Sequence, residues 1–516
     1  MSLVPSVYYL RILPEIILAA FGLVIMLVAG PARHGNRARI CGWLAFAGSI
    51  LALLSVLIQA AHPGTAFNGM FRVDAFTTFL HVVLIAATAV IVLLAMDYLP
   101  QQKLERGEFY ALLLFATIGM GFMVGSVELI MIFIGLEISS ISTYILCGFR
   151  RHDAASTESS LKYFLLGSFA TAFFLYGIAL LYGASGTTNL YAMAAQGFHI
   201  SYGGISHAEL VLAAAALLFI GLGFKMSVAP FQVWTPDVYE GAPALVTGFM
   251  SAGPKAAAFA VALRIFYVAL HSSSGAWFWM VWAAAILSMC LGNLGALLQT
   301  NLKRMLAYSS IAQAGYVLVA FAALGAQGAS AVLFYLAAYV AMNIGAFAII
   351  AHWAHADEKY VNLKDYAGLG FKSPWLGFCL AVFLCSLIGV PLTGGFFGKL
   401  YVFQAALHSH LIGLTIIGLL NSALAAFYYL RVIVYMYMQP EAEPIPRSRA
   451  NAPLFLAVAA CLLITFWLGI FPSLALSHAR RAGSDLLSAP PAVTSAALKP
   501  DRAPTPALTV AQRRFQ

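Results

Sequence analysis

Apolar runs of roughly twenty residues, nearly free of charge, follow one another along most of this sequence. Residues 211–231 and 376–393 are examples, each about as long as a helix needs to cross the ~30 Å hydrocarbon core of a bilayer. A length of 516 residues would otherwise suggest about three soluble domains of ~150 residues each. Only 9% of the residues are charged, however, against roughly 25% in a soluble protein, so the chain cannot wet such surfaces. The expected fold is an all-α polytopic membrane protein, with one transmembrane domain over residues 1–472. Soluble enzymes, nucleic-acid binders and secreted scaffolds are excluded. The net charge of +9 then reports topology rather than an anionic partner. All six cysteines lie in apolar runs without a CxxC pair, as small buried hydrophobes do, and no iron–sulfur, zinc or haem pattern is visible. Residues 1–30 lack a basic n-region and a cleavage site, so the first apolar run reads as a retained span rather than a signal peptide.

About fourteen spans are expected, near 10–30, 40–61, 73–96, 109–125, 127–149, 159–183, 208–234, 243–270, 276–300, 304–325, 329–353, 374–408, 412–438 and 453–472. The odd-numbered loops carry the basic residues, among them Arg33, Lys103, Arg150, Arg151, Lys303, Lys359 and Arg447, whereas the even-numbered loops carry only Arg72. That asymmetry puts the odd loops in the cytoplasm and both termini outside. Residues 473–516 read as a basic, Pro-containing, flexible tail, whose Arg480, Arg481 and Arg502 run against the rule when placed outside. Thirteen spans is the alternative count.

Two spans look broken. The 35-residue run 374–408 would be about 52 Å long as one helix, too long for the core, and Pro391, Gly394 and Gly395 sit within it. Residues 208–234 resemble it, with Pro230 and Pro236 following Gly221 and Gly223. Interruptions in spans seven and twelve, five apart, predict two inverted five-helix repeats: spans 4–8 (109–270) and spans 9–13 (276–438).

Of ten lysines, Lys162, Lys225, Lys255 and Lys399 lie in apolar surroundings, and Glu137 sits mid-span in MIFIGLEISSISTYIL. An ionisable group at bilayer depth costs roughly 2.5–3.5 kcal/mol on insertion scales, so such groups are expected to face the bundle interior. Lysine suits proton handling because desolvation disfavours its charged form while a nearby carboxylate favours it. Glu137 and Lys162, on consecutive spans, are expected to form such a pair. Snorkelling to the interface competes with this role for Lys162, a few residues into its span. Arg264 and Arg431 stand towards span ends, where structural pairing weighs as much as function. His81 reads as a satisfied bundle residue, and His352 and His355 lack a third ligand for a metal.

The stretches GLGFKMSVAPFQVWTPDVYEGAPALVTGFMSAGPKAAAFA (221–260), NLKRMLAYSSIAQAGY (301–316), LKYFLLGSFATAFFLYGIALLYGASGTTNL (161–190) and GVPLTGGFFGKLYVF (389–403) closely resemble the subunit N family of bacterial NADH-quinone oxidoreductase, respiratory complex I. The similarity spans the chain apart from its tail. That family belongs to the antiporter-like subunits, which include those of multisubunit sodium/proton antiporters. The resemblance implies a mid-membrane hydrophilic axis of Glu137, Lys162, Lys225, Lys255 and Lys399 connecting proton half-channels. It implies as partners the other membrane-arm subunits, sister antiporter-like subunits included, and more distantly a peripheral arm that holds FMN and iron–sulfur clusters. Quinone would be a substrate of the complex, and the location the bacterial inner membrane. This chain shows no dinucleotide fingerprint, and neither a cofactor nor a metal is expected on it.

Two other functions compete: a subunit of a sodium/proton antiporter, and a structural membrane-arm component whose charges serve assembly alone. The topology is testable apart from either. With native cysteines removed, an impermeant thiol reagent on intact cells should label cysteines placed within 184–207 and spare those within 150–153 and 355–373. Labelling of a cysteine at position 365 before lysis refutes the orientation.

Overall fold

A computed structural model describes residues 6–30, 35–201, 206–440 and 451–488. Its helices are α1 (Ser6–Arg11), α2 (Leu13–Ala29), α3 (Gly35–Ala60), α4 (Ala75–Gln101), α5 (Glu108–Gly125), α6 (Leu129–Cys147), α7 (Ala154–Ser185), α8 (Leu190–Gln196), α9 (His207–Met226) and α10 (Trp234–Gly241). There follow α11 (Ala244–Arg264), α12 (Ser274–Leu297), α13 (Leu302–Ala322), α14 (Gly325–Trp353), α15 (Leu369–Lys372), α16 (Pro374–Ile388), α17 (Gly394–His408), α18 (Ile412–Met438), α19 (Ala452–Ile470) and α20 (Pro472–Leu487). A small antiparallel hairpin, β1 (Gly64–Ala66) with β2 (Phe71–Val73), joins α3 to α4. Twelve helices among the described residues have the length and apolar composition to cross a membrane, and α2 and α16 are shorter apolar helices. With α16 continued by α17, these are the fourteen expected spans.

Polar side chains set where the helices begin. Asp74, Asp153, Asn189, Asn301 and Asn451 each accept a hydrogen bond from a backbone N–H in the first turn that follows. The helices α11, α13 and α14 are buried along almost their whole length and form the centre. By contrast α7 and α18 turn Leu161, Phe169, Tyr176, Leu420 and Phe427 outward, as a surface facing lipid or other apolar partners does.

Among the described residues, odd-numbered loops meet at one end and even-numbered loops at the other, each end tied by buried ion pairs. At the odd end Glu358 accepts from Lys303 Nζ at 2.6 Å, from the Tyr98 hydroxyl and from the Ala244 N–H, with Arg150 3.7 Å away. Beside it His352 Nδ1 meets Asp97 at 2.8 Å. At the even end Arg264 bridges Asp74 (3.2 Å), the Thr77 hydroxyl (2.7 Å) and the Val124 carbonyl (2.8 Å). Arg264 is thus a structural tie, and Arg431 likewise donates to the Leu297 and Gln299 carbonyls. His81 is satisfied by Gln59 (2.9 Å) and Glu15 (3.1 Å).

The segment expected to start a flexible tail at residue 473 is ordered to residue 488. Residues 472–487 form α20, whose buried Ala475, Ala479, Ala482 and Leu486 recur at helical spacing and pack on α4 and α14. Arg72 donates to the Ser488 carbonyl at 2.8 Å, which fastens this helix to the even-loop end. Residues 489–516, with the proline run, lie outside the described residues.

Burial pushes the Glu358 carboxyl up, but Lys303, the Ala244 N–H and the Tyr98 hydroxyl outweigh it and hold the group below the usual carboxylate range. Its stabilisation is therefore complete above the unfolded carboxylate value of about 4.3 and is lost as pH falls through the lower folded value. Glu358→Ala, which strands Lys303, should cost about 3–5 kcal/mol at neutral pH. Thermal unfolding in detergent checks this. The wild type should lose more stability than Glu358→Gln on acidification below about pH 4, and an unchanged Glu358→Ala melting curve refutes the assignment.

Candidate functional site

The first interruption lies where α9 stops at Met226. Ser227 adopts φ 58°, and the N–H of Val228 folds back to the Gly223 carbonyl at 2.9 Å. The chain then runs without regular structure to α10, where Trp234 Nε1 donates to the Phe224 carbonyl at 3.0 Å. Lys225 stands in the last turn of α9 and is buried. Its Nζ donates to the Tyr163 hydroxyl at 2.9 Å and lies 4.9 and 5.3 Å from the ring centres of Tyr163 and Tyr144. Tyr163 is itself stacked on Trp234 at 4.5 Å, so aromatic faces enclose the ammonium group.

The second interruption separates α16 from α17. Gly389 adopts φ +98°, a conformation open to glycine at little cost. A Cβ on Gly395 would lie 1.8 Å from the Ser386 carbonyl oxygen, so this close crossing of the two half-helices requires a residue without a side chain. Lys399, buried on α17, donates to the freed Ile388 carbonyl at 2.8 Å and to Ser422 Oγ at 2.9 Å. Its Nζ stands 4.8 Å from the Tyr316 ring centre. Lys255, on α11 directly after Pro254, donates to the Ser310 carbonyl at 2.9 Å and also to the Ser310 hydroxyl. Among the described residues neither Lys255 nor Lys399 has a carboxylate within ion-pair distance.

Between these two lysines runs a chain of polar side chains. Ser309, next to Ser310, meets the Tyr429 hydroxyl; Gln313 Nε2 donates to that hydroxyl at 3.1 Å, and the Tyr335 hydroxyl donates to Gln313 Oε1. Tyr428 donates to Asn293 Oδ1 at 3.0 Å, and Asn293 Nδ2 reaches the Tyr316 hydroxyl at 3.3 Å, under the Lys399 ammonium. A hydroxyl both donates and accepts, so a chain of them can pass a proton on by exchanging partners. The buried hydroxyls of Tyr239 and Tyr339 flank the Ser310 side chain.

The structure does not pair Glu137 with Lys162. Lys162 is half-exposed on α7 and binds Glu158 at 2.7 Å and Asp237 at 3.1 Å. Asp237 also accepts from Arg304 at 2.8 Å. Burial raises the Asp237 carboxyl, but Arg304 and Lys162 together hold it below its ordinary value. Glu137, half-buried on α6, has one buried carboxylate oxygen with no hydrogen bond and lies within Coulombic range of Lys225. The i, i+4 spacing of Glu158 and Lys162 is visible in the sequence and accounts for one of these partners, whereas the meeting with Asp237 depends on where α10 packs. The Ser–Tyr–Gln–Asn chain was not singled out, although Asn293 and Gln313 inside apolar runs were a signal for it. No group of three or more His, Cys, Asp and Glu among the described residues is arranged to hold a metal ion.

The NADH:quinone oxidoreductase/Mrp antiporter transmembrane family matches residues 126–425. NADH-quinone oxidoreductase subunit N 2 of Koribacter versatilis is 52% identical over 493 residues, 94% of this chain and 98% of that protein. Subunit N 1 of Solibacter usitatus is 49% identical over 92% of this chain and 97% of its own length. Among solved structures, a chain of respiratory complex I from Thermus thermophilus with bound aureothin is 35% identical, with a TM-score of 0.76 over 90% of this chain and 98% of that one. A chain of the Mrp complex from Dietzia sp. reaches a TM-score of 0.79 over 94% and 98% at 21% identity, a likeness of fold alone.

The polar chain yields a stability test. Gln313→Leu leaves the Tyr335 and Tyr429 hydroxyls short of a partner, at about 1–3 kcal/mol per orphaned group. Adding Tyr335→Phe removes one orphan, so the double variant should cost less than the sum of the singles by about 0.5–3 kcal/mol. Additive losses in thermal unfolding would show that the two side chains are not coupled.

Proposed function

Because the chain belongs to the NADH:quinone oxidoreductase/Mrp antiporter family, and within it to subunit N of NADH-quinone oxidoreductase, we propose that Glu137, Lys162, Lys225, Lys255 and Lys399 carry its share of proton translocation. The subunit is a membrane-arm component of complex I without a redox centre of its own. NADH oxidation and quinone reduction take place on partner chains, where FMN and iron–sulfur clusters supply the electron transfer. Its neighbours are the other membrane-arm subunits, sister antiporter-like subunits among them, in the bacterial inner membrane with the basic loops in the cytoplasm.

The observation that carries this reading is the run of buried polar side chains between Lys255 and Lys399: Ser309, Tyr429, Gln313 and Tyr335 are hydrogen-bonded beside Ser310, the Tyr428 and Tyr429 rings lie 4.4 Å apart, and Asn293 joins Tyr428 to Tyr316, whose ring faces Lys399. An ammonium group solvated by hydroxyls and carbonyls alone has no counter-ion to hold its proton, so it can release it into the chain and recover another. Glu137 stabilises the charged form of Lys225, and a change in that influence alters the readiness of Lys225 to give up its proton. Lys162 acts at the odd-loop side through Asp237 and Arg304. Residues 109–270 and 276–438 serve as two inverted repeats, each with its helix break beside one lysine, Lys225 in the first and Lys399 in the second. The sodium/proton antiporter reading is weaker, because the relatives near 50% identity are complex I subunits while the Mrp likeness is at 21%.

Side-chain chemistry separates a relay from a fixed counter-charge. Arginine keeps the positive charge but, with a pKa above about 12, stays protonated. Lys399→Arg should therefore pump nearly as poorly as Lys399→Ala, and Glu137→Gln should fail because the amide keeps the shape and loses the charge. NADH-driven proton uptake into inverted vesicles measures this, with assembly checked on native gels. Normal pumping by an assembled Lys399→Ala or Glu137→Gln complex removes that residue from the path.

A further inference from the structure

A cavity of about 660 Å³ lies between α4, α14 and α19, beneath α20. Phe79, Val83 and Val90 of α4, Phe334 and Ile344 of α14 and Trp467 of α19 line its depth. At its mouth stand His478, Arg481 and Asp485 of α20, with Asp74 at the start of α4. Asp74 is paired with Arg72 and Arg264, and Asp485 accepts from the Ala75 N–H at 3.2 Å, which turns its carboxylate towards the start of α4. Arg481 and His478 are exposed, and among the described residues Arg481 has no carboxylate partner. The mouth therefore presents Arg481 as an exposed guanidinium without an ion pair, above a slot lined mainly by apolar side chains.

Helix α20 crosses the even-loop end of the bundle, with its buried face on α4 and α14 and its basic face outward. From Ala75 to Val90 the α4 wall extends about 22 Å at ~1.5 Å per residue, more than the ~15 Å of one leaflet of the hydrocarbon core. A ligand seated here has an anionic head at the membrane surface and a long apolar tail below it.

We infer that this slot binds a phospholipid, with one acyl chain between α4 and α14 and its anionic headgroup on Arg481 and His478. The lipid fills the side of α14 opposite Tyr335 and Tyr339, and so braces the helix that presents those hydroxyls to the polar chain.

The test uses the intact purified complex in phosphatidylcholine nanodiscs. These are doped with phosphatidylglycerol or phosphatidylcholine carrying a photoactivatable acyl chain, and labelled peptides are mapped by mass spectrometry. The phosphatidylglycerol probe should label peptides of α4, α14 and α19 at least about five-fold more than the phosphatidylcholine probe. Arg481→Gln should bring the two to the same level, and Ala341→Trp, which fills the slot, should abolish labelling there. Val340→Phe replaces Ala341→Trp if the latter fails to assemble on native gels. Equal labelling by the two probes in the wild type, or labelling that survives the filling substitution, overturns the proposal. So does a photoreactive residue at position 337 that captures residues 489–516 or a neighbouring subunit instead of lipid.

Discussion

An ammonium group inside a bilayer must find in the protein the solvation it has lost from water, and the interior of this bundle is arranged around three of them. The cost of placing the charge, about 2.5–3.5 kcal/mol on insertion scales, falls on each. Each is met differently: Lys225 by tyrosine rings and a hydroxyl, Lys255 by a serine, and Lys399 by a backbone carbonyl and a serine. The carbonyl is available because α16 stops at Ile388, so the interruption and the charge depend on each other. Helices α11, α13 and α14 are central because they supply Lys255, Ser309, Ser310, Gln313 and Tyr335 to one polar region.

Carboxylates are distributed in the opposite sense. Glu358 and Asp97 sit at one end of the bundle and Asp74 at the other, each paired with a basic group that fixes loops to one another. Pairs of this kind rigidify, since removing either partner strands a buried charge. The middle of the bundle is poor in such pairs, and its lysines are held by groups that accept a proton's hydrogen bond without fixing the proton. Tight ends and a permissive middle suit a device whose frame stays while protons move.

Much of this was legible in the sequence because hydrophobicity and charge act over whole segments. The spans follow from run length, the meeting of odd loops from their arginines and lysines, and the second break from Pro391, Gly394 and Gly395, which fall in or beside the observed gap 389–393. Pairings across helices were not legible. Asp237, rather than Glu137, takes Lys162 because α10 folds back across the start of α7, a placement that no local pattern encodes. The tyrosines of the polar chain look like ordinary bundle aromatics until their hydroxyls are seen to converge. Helix α20 was hidden by Arg480 and Arg481, which mark its solvent face, and by the proline run that begins at Pro490.

The two helix ends beside the breaks are closed by chemically different donors. The Phe224 carbonyl at the end of α9 is capped by the indole N–H of Trp234, which is neutral at every accessible pH. The Ile388 carbonyl at the end of α16 is capped by the Lys399 side chain, the group proposed to lose and regain a proton. A charge-assisted hydrogen bond is roughly twice as strong as a neutral one. On that proposal, a proton leaving Lys399 loosens the last turn of α16 and one returning tightens it. The first half of the molecule has a fixed clasp, and the second has one whose grip follows the charge on Lys399.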